Sequence, residues 1–263
     1  MYAFEYQRAK TVAEAAAALA KSGGKALAGG QSLVGAMKLR LANPGTIVDL
    51  SGLAELKGIK KEGTAIVVGA LTTHADVAAS AVVKQAIPAL AALAEGIGDR
   101  QVRNRGTLGG SLANNDPAAD YPAAALALGA TIHTNRRKIA ADDFFKGMYE
   151  TALGDDEIIT AVSFPLPQKA AYVKFPQPAS RFALVGVFVA QTAGGVRVAV
   201  TGAAAHVHRA KAIEDALSKS FTAAAAKAVK IPADRLNNDL HGSAEYRAHL
   251  VSVLAARAVA AAQ

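Results

Sequence analysis

Ala28-Gly29-Gly30-Gln31-Ser32 and Thr107-Leu108-Gly109-Gly110-Ser111 are the two stretches that decide how this chain reads. Each is a glycine pair followed by a hydroxyl residue, and each comes after a segment that reads as extended or turning. Glycine leaves neighbouring backbone N–H groups unshielded, so several amides and a serine hydroxyl can converge on one anion. Gly-Gly is also common turn punctuation, and the chain has 23 glycines. Two such strips in the first half, neither set in a simple hairpin, point to diphosphate binding, and a dinucleotide needs two strips. Neither G-x-G-x-x-G nor G-x-x-x-x-G-K-[ST] occurs, so a Rossmann or P-loop fold has no support.

Around the first strip the chain reads as a βαβ unit. Residues 2–6 alternate like a strand, Thr11-x-x-Glu14 is a capping box, and Gly23-Gly24 ends the alanine-rich helix that the box opens. Residues 25–28 form a short strand running into the glycines. Leu33, Ala36, Met37 and Leu41 then recur at helical spacing over 32–41, and Asn43-Pro44 stops that helix before a strand at 46–50. The first strip therefore lies at a strand-to-helix turn, where an anion is favoured.

Working outward, residues 56–60 and 64–68 read as a hairpin about Lys61-Glu62-Gly63. Thr73 caps a helix over 75–79, and Pro88 splits a helical run over 82–95. The polar segment 98–106 delivers the second strip, and Asp116-Pro117 reads as N-cap and first residue of a helix through Leu128. Strands are expected over 130–134, 157–164, 172–175, 184–192 and 196–203, with Gly194-Gly195 as a two-residue turn. Helices follow over 210–218, 222–229 and 244–262, and residues 165–170 read as the linker.

Composition narrows the classes. The 263 residues are 52% hydrophobic, enough for a large core in two or three subdomains. The longest apolar run, 182–190, is too short for a membrane span, and residues 1–8 carry no apolar signal region, so a cytoplasmic location is expected. With no cysteine there are no disulfides, thiolate nucleophiles or cysteine-bound iron–sulfur clusters. The net charge of +8 is scattered and aromatics are only 5%, which argues against nucleic acid and for a basic patch facing an acidic cofactor or subunit.

Individual polar residues yield less. His206-x-His208 has metal-ligand spacing but no third ligand near in sequence, so no metal site is expected. Asp120, one turn into its helix and beside the second strip, has two open readings: an acceptor for ribose hydroxyls, or plain surface charge. Arg100, Arg103 and Arg105 form either a solvated basic loop or part of a binding or docking face. No nucleophile–base–acid arrangement is visible, and no catalytic residue is assigned.

The two strips, the run Ile97 to Ser111 and Asp116-Pro117-Ala118-Ala119-Asp120 together resemble the FAD-binding medium subunits of carbon monoxide dehydrogenase and xanthine dehydrogenase-type molybdenum hydroxylases, over nearly the whole chain. The resemblance implies an α+β fold: a PCMH-type (vanillyl-alcohol-oxidase-like) FAD-binding domain of two subdomains, 1–52 and 53–167, then a C-terminal antiparallel sheet with helices, 168–263. It implies non-covalent FAD contacted by Leu27, Ala28, Gly29, Gly30, Gln31, Ser32, Leu33 and Val34 on the adenine and diphosphate side. Thr107, Leu108, Gly109, Gly110 and Ser111 would hold the diphosphate and flavin-side chain. Ile97, Asn114, Asp120, Ile159, Lys174 and Phe182 would complete the site. Phe182 stands where the carbon monoxide enzyme has a tyrosine, and Gln31 where relatives often have histidine. The implied role is electron relay, from a small subunit with two [2Fe–2S] clusters to a final acceptor, in a complex whose large molybdenum subunit oxidises the substrate. A self-sufficient flavin oxidoreductase and a partner-binding module without FAD are the alternative readings.

Overall fold

Three larger sheets follow one another along the chain, each covered by its own helices, with a fourth, two-stranded sheet beside the second, in a computed structural model that describes residues 1–262. The first comprises β1 (Glu5–Arg8), α1 (Val12–Ser22), β2 (Lys25–Leu27), α2 (Leu33–Lys38) and β3 (Thr46–Asp49). The central strand is β3, and both neighbours run parallel to it. Its pairing with β1 runs from Glu5↔Thr46 to Arg8↔Asp49, so the strand begins later than the 2–6 alternation suggests and leaves Tyr2 and Phe4 exposed. Thr11 caps α1 by accepting the Glu14 N–H at 3.1 Å, while the Glu14 carboxylate takes the amide of Lys10 rather than that of the cap itself. Ala15 and Leu19 of α1 pack with Val48, Leu50, Leu53, Leu56 and Leu71. The helix expected over 32–41 stops at Lys38, and of its four spaced apolar residues only Met37 is buried.

The second unit starts with a hairpin of β4 (Ile59–Glu62) and β5 (Ala65–Gly69), turning at Gly63-Thr64. Six helices follow: α3 (His74–Ala79), α4 (Ala81–Ala86), α5 (Pro88–Glu95), α6 (Arg100–Arg103), α7 (Leu108–Asn114) and α8 (Tyr121–Leu128). The unit ends with β6 (Thr131–Thr134), β7 (Lys138–Ala140), α9 (Ala141–Phe144), the two-stranded ribbon β8 (Phe145–Gly147) with β9 (Glu150–Thr151), and β10 (Ile159–Pro165). Its sheet is antiparallel, in the order β4-β5-β10-β6-β7. Pro88 occupies the first position of α5, where its missing N–H costs nothing. Asp116 does not cap a helix: its carboxylate accepts the Ala118 N–H at 2.9 Å and its carbonyl the Ala119 N–H, which makes a turn, and α8 begins five residues later. Every residue of α8 is buried, as befits a helix apolar all round.

The third unit comprises β11 (Lys169–Pro176), β12 (Ala183–Thr192), β13 (Gly195–Thr201), β14 (His208–Arg209), α10 (Lys211–Lys219), α11 (Ala223–Ala228) and α12 (Ala244–Ala261). Its antiparallel sheet has the order β11-β12-β13-β14. The alternation of β12 divides it between two cores: Phe188 and Ala190 join that of the second unit, while Val185, Val187 and Val189 face the third unit's own helices. Residues 183–190 of the apolar run are thus a strand buried on both faces, while Phe182 stays exposed just before it. The expected linker narrows to residues 166–168, and the β12–β13 turn falls at 193–194, one residue early, because Thr192 pairs with Gly195. The second and third units are also tied by polar contacts. Thr201 Oγ1 donates to the carbonyls of Pro117 and Ala119, and Arg197 donates to the Leu126 carbonyl and to both oxygens of Asp142.

Candidate functional site

The first glycine strip leaves its amides open. Among the described residues, none of the backbone N–H groups from Gly29 to Leu33 meets a protein acceptor, and the Ser32 hydroxyl does not cap α2. Gly30 has φ +76°, a left-handed conformation that turns successive amides toward one side and is strained for any residue with a β-carbon. Gly29 and Gly30 are half-buried, whereas Gln31 and Ser32 are exposed. This concavity of unpaired donors at the surface fits a diphosphate.

The second strip is built differently. Its glycines lie in the first turn of α7, and the amides from Leu108 to Gly110 are already paired: Leu108 N–H with Thr72 O at 3.1 Å, Gly109 N–H with Ala70 O at 2.8 Å, and Gly110 N–H with Thr107 Oγ1 at 3.2 Å. The sequence expectation of a second open cradle of amides is therefore corrected. The second pair serves close approach, since a β-carbon on Gly109 would lie 2.6 Å from Ala70 Cβ and 2.8 Å from its carbonyl. The two strips nonetheless meet. A β-carbon on Gly29 would overlap the Arg105 carbonyl, and one on Gly110 would touch Ala28 Cβ at 3.6 Å.

Three cationic side chains organise the neighbouring loop, and all bind backbone carbonyls. Lys174 Nζ donates to Gly96 O at 2.8 Å, Arg103 Nη1 to Ile97 O at 2.9 Å and Gly98 O at 3.3 Å, and Arg181 Nη1 to Gly98 O at 3.4 Å. The arginine cluster thus separates: Arg103 holds the loop that carries Ile97, whereas Arg100 and Arg105 are exposed.

Asp120 is not a surface charge. It is 5% exposed, and Lys174 Nζ lies 3.0 Å from Oδ1 and 3.2 Å from Oδ2, while the Tyr172 hydroxyl donates to Oδ1. Burial pushes its carboxyl upward; the Lys174 charge and the Tyr172 hydrogen bond pull it back down. The Lys174 ammonium also donates to Arg181 O at 3.1 Å, so one side chain joins α8, the loop after α5 and the β11–β12 connection. Oδ2 has only the longer Lys174 contact and retains lone-pair capacity for another donor.

The remaining expected residues are dispersed. Ile97 and Asn114 are half-buried, the latter closing α7; Ile159 is buried in β10, and Phe182 is 48% exposed just before β12. His206 and His208 are bonded to carbonyls of their own segment, and no group of three or more possible ligands among the described residues could hold a metal. Sequence reading passed over His74 and Tyr172. His74 is 5% exposed beneath the second strip, with its backbone N–H on Gly106 O. Burial, and then the Arg103 charge, depress its pKa to about 4, so it is neutral near pH 7. Its Nδ1 and the Tyr121 hydroxyl are both buried without a partner, their rings 5.3 Å apart. The one available signal was position, since Thr73-His74 opens a capped helix.

With that geometry in view, known proteins supply the context. Residues 2–167 match the family described as the FAD binding domain in molybdopterin dehydrogenase. The carbon monoxide dehydrogenase medium chain of Hydrogenophaga pseudoflava is 37% identical, the alignment covering 98% of this chain and 96% of that protein. The nicotine 6-hydroxylase medium subunit of Paenarthrobacter nicotinovorans is 36% identical over 89% of this chain and 88% of that one. Among solved structures, carbon monoxide dehydrogenase from Hydrogenophaga pseudoflava lacking the Mo-pyranopterin moiety superimposes with a TM-score of 0.90 at 37% identity, covering 99% of this chain and 97% of the other. No helix among the described residues is long and apolar enough to cross a membrane.

Proposed function

This chain belongs to the family of FAD-binding domains of molybdopterin dehydrogenases, and from that premise we propose that it is the FAD-binding medium subunit of a molybdenum hydroxylase, relaying electrons from the [2Fe–2S] clusters of a small subunit to a final acceptor. The observation that carries this reading is the run of unpaired amides from Gly29 to Leu33 around left-handed Gly30. Leu27 to Val34 would receive the diphosphate and adenine side, and Thr107 to Ser111, packed against them, would close the other flank. Ile97, Asn114, Asp120, Ile159, Lys174 and Phe182 are the further contacts proposed. When bound, FAD exchanges single electrons with clusters and pairs with an acceptor, the chemistry such a junction needs.

What the chain's own residues do is position. Lys174 and Tyr172 each donate to Asp120, which suits the group to hold a ligand's polar groups rather than to pass protons to a substrate. Without cysteine the chain cannot ligate iron–sulfur clusters through thiolates, so electrons must arrive from a partner. Substrate oxidation is assigned to a large molybdenum subunit, and relatives acting on substrates as different as carbon monoxide and nicotine are consistent with a medium subunit that leaves substrate choice elsewhere. A cytoplasmic location, no nucleic-acid partner and the three-part division at 52 and 167 belong to the same proposal.

Reconstitution tests it. The purified, FAD-loaded chain should oxidise no hydroxylase substrate, yet restore turnover with an acceptor when added to the large and small subunits. Release of all flavin on acid precipitation is expected for non-covalent binding. Substrate turnover by the chain alone would overturn the relay in favour of a self-sufficient oxidoreductase.

A further inference from the structure

Tyr172 lies in β11, in the third unit, outside both glycine strips. Its hydroxyl nonetheless reaches Oδ1 of Asp120, at the entrance to α8 in the second unit. Its register partner on β12 is Phe188; two residues along that strand, opposite Lys174, stands Gly186, where a β-carbon would collide with the Tyr172 hydroxyl. Glycine is otherwise a poor choice in the middle of a central strand, where it forfeits packing and raises the entropy lost on folding. Here its missing side chain opens the space through which Tyr172 reaches the carboxylate. The ring is steadied by Phe188, stacked on it with centroids 6.1 Å apart.

We infer that Tyr172 is a positioning residue for FAD binding, holding the Asp120 carboxylate ionised and oriented toward the cofactor, and that Gly186 exists in β12 to let it do so. Buried carboxylates stay charged only with donors, and Asp120 draws its side-chain donors, Lys174 and Tyr172, from β11. The other titratable neighbour is Tyr121, on the same helix; burial, and then the Asp120 charge, push its hydroxyl up, and Asp120 receives no hydrogen bond from it. Lys174 is shared with Gly96 O and Arg181 O, so it cannot turn wholly to the carboxylate. The Tyr172 hydroxyl has Asp120 as its partner. Removing it leaves the carboxylate more readily protonated, and a protonated carboxyl is a weaker acceptor for a cofactor hydroxyl.

This inference rests on the proposed role of Asp120 in holding FAD, and the experiment separates the two. FAD dissociation constants are measured by flavin fluorescence from pH 5 to 9 for wild type, Tyr172→Phe, Gly186→Ala and Asp120→Asn, with thermal unfolding of each apoprotein alongside. Asp120→Asn should weaken FAD and abolish the pH dependence arising from this group. Tyr172→Phe should weaken FAD about tenfold near neutrality and move the fall-off of affinity to higher pH, so that alkaline buffer restores binding. Gly186→Ala should reproduce that displaced curve with the hydroxyl still present, and the double variant should be no worse than either single. Unchanged affinity in Asp120→Asn would remove Asp120 from the site. A loss in Asp120→Asn with a Tyr172→Phe curve that superimposes on wild type would overturn the role of Tyr172 alone. Should Gly186→Ala fail to fold, Tyr172→Phe still decides.

Discussion

The two glycine pairs carry nearly the same local signature and do opposite physical work. At Gly29-Gly30 the backbone turns through a left-handed residue and leaves its amides free. At Gly109-Gly110 the amides are consumed by Ala70 and Thr107, and the absent side chains allow α7 to settle against the end of β5. One pair leaves its donors free, the other spends them on the protein. A dipeptide pattern reports only that two glycines stand together; whether a β-carbon would collide there, and with what, is a tertiary matter.

The sharpest way to break this contrast is Gly109→Val. Its side chain would push α7 away from Ala70 and sever the Gly109–Ala70 hydrogen bond, so urea unfolding should show a loss of roughly 3 kcal/mol. An unchanged midpoint would mean that the second pair is not a packing device. Gly30→Val probes the other side of the comparison. It forces a branched residue into φ +76° and toward Val34, 3.0 Å from the new β-carbon. The expected cost in stability is about 1 to 2 kcal/mol, with loss of bound flavin as the principal effect; a purified variant with full flavin absorbance would refute the open-amide cradle.

Acid should expose the packing role of the second strip more gently. His74 is held neutral below its ordinary pKa of 6.5, with a folded-state value of about 4. As pH falls from 6.5 toward 4 the unfolded chain takes up a proton that the folded chain refuses, so stability is present above 6.5 and declines through that window. Between pH 7.5 and 5.5 the decline from this residue should be about 1 kcal/mol. Urea melts of wild type and His74→Phe at both pH values isolate it from the other histidines, and equal declines in the two proteins would exclude His74 as its source. The smallest effect is expected at Arg100→Ala, exposed and worth less than about 0.5 kcal/mol, against about 1.5 kcal/mol for Arg103→Ala, which leaves the Ile97 carbonyl without its charged donor and the Gly98 carbonyl with Arg181 alone. Equal losses would mean that the cluster acts as one solvated patch.

Much of the architecture was legible before any coordinates. Capping residues Thr11 and Thr73, the split at Pro88 and the glycine that ends α1 act within a few residues of themselves, so the local pattern suffices. Errors came where pairing or burial overrode the local signal. Strand β1 took its register from β3, Asp116 made a turn instead of a helix cap, and short elements such as α6, β7 and the β8–β9 ribbon lie in segments too brief for periodicity to show. At the site, the residue types of both strips were visible, but Asp120 was balanced between ligand contact and surface charge, because its burial depends on β11, some fifty residues away.

Residue identity and short spacing were enough to mark two glycine strips, both expected to bind a diphosphate, a run of helices and strands in order, and no cysteine with which to hold clusters. These signals do not depend on what packs where. Which glycine pair keeps its amides free, which arginine supports a loop, and that Tyr172 and Lys174 meet Asp120 emerged from packing. Those outcomes follow from distant segments competing for the same hydrogen-bond donors, acceptors and space, a competition resolved only when the three sheets pack together.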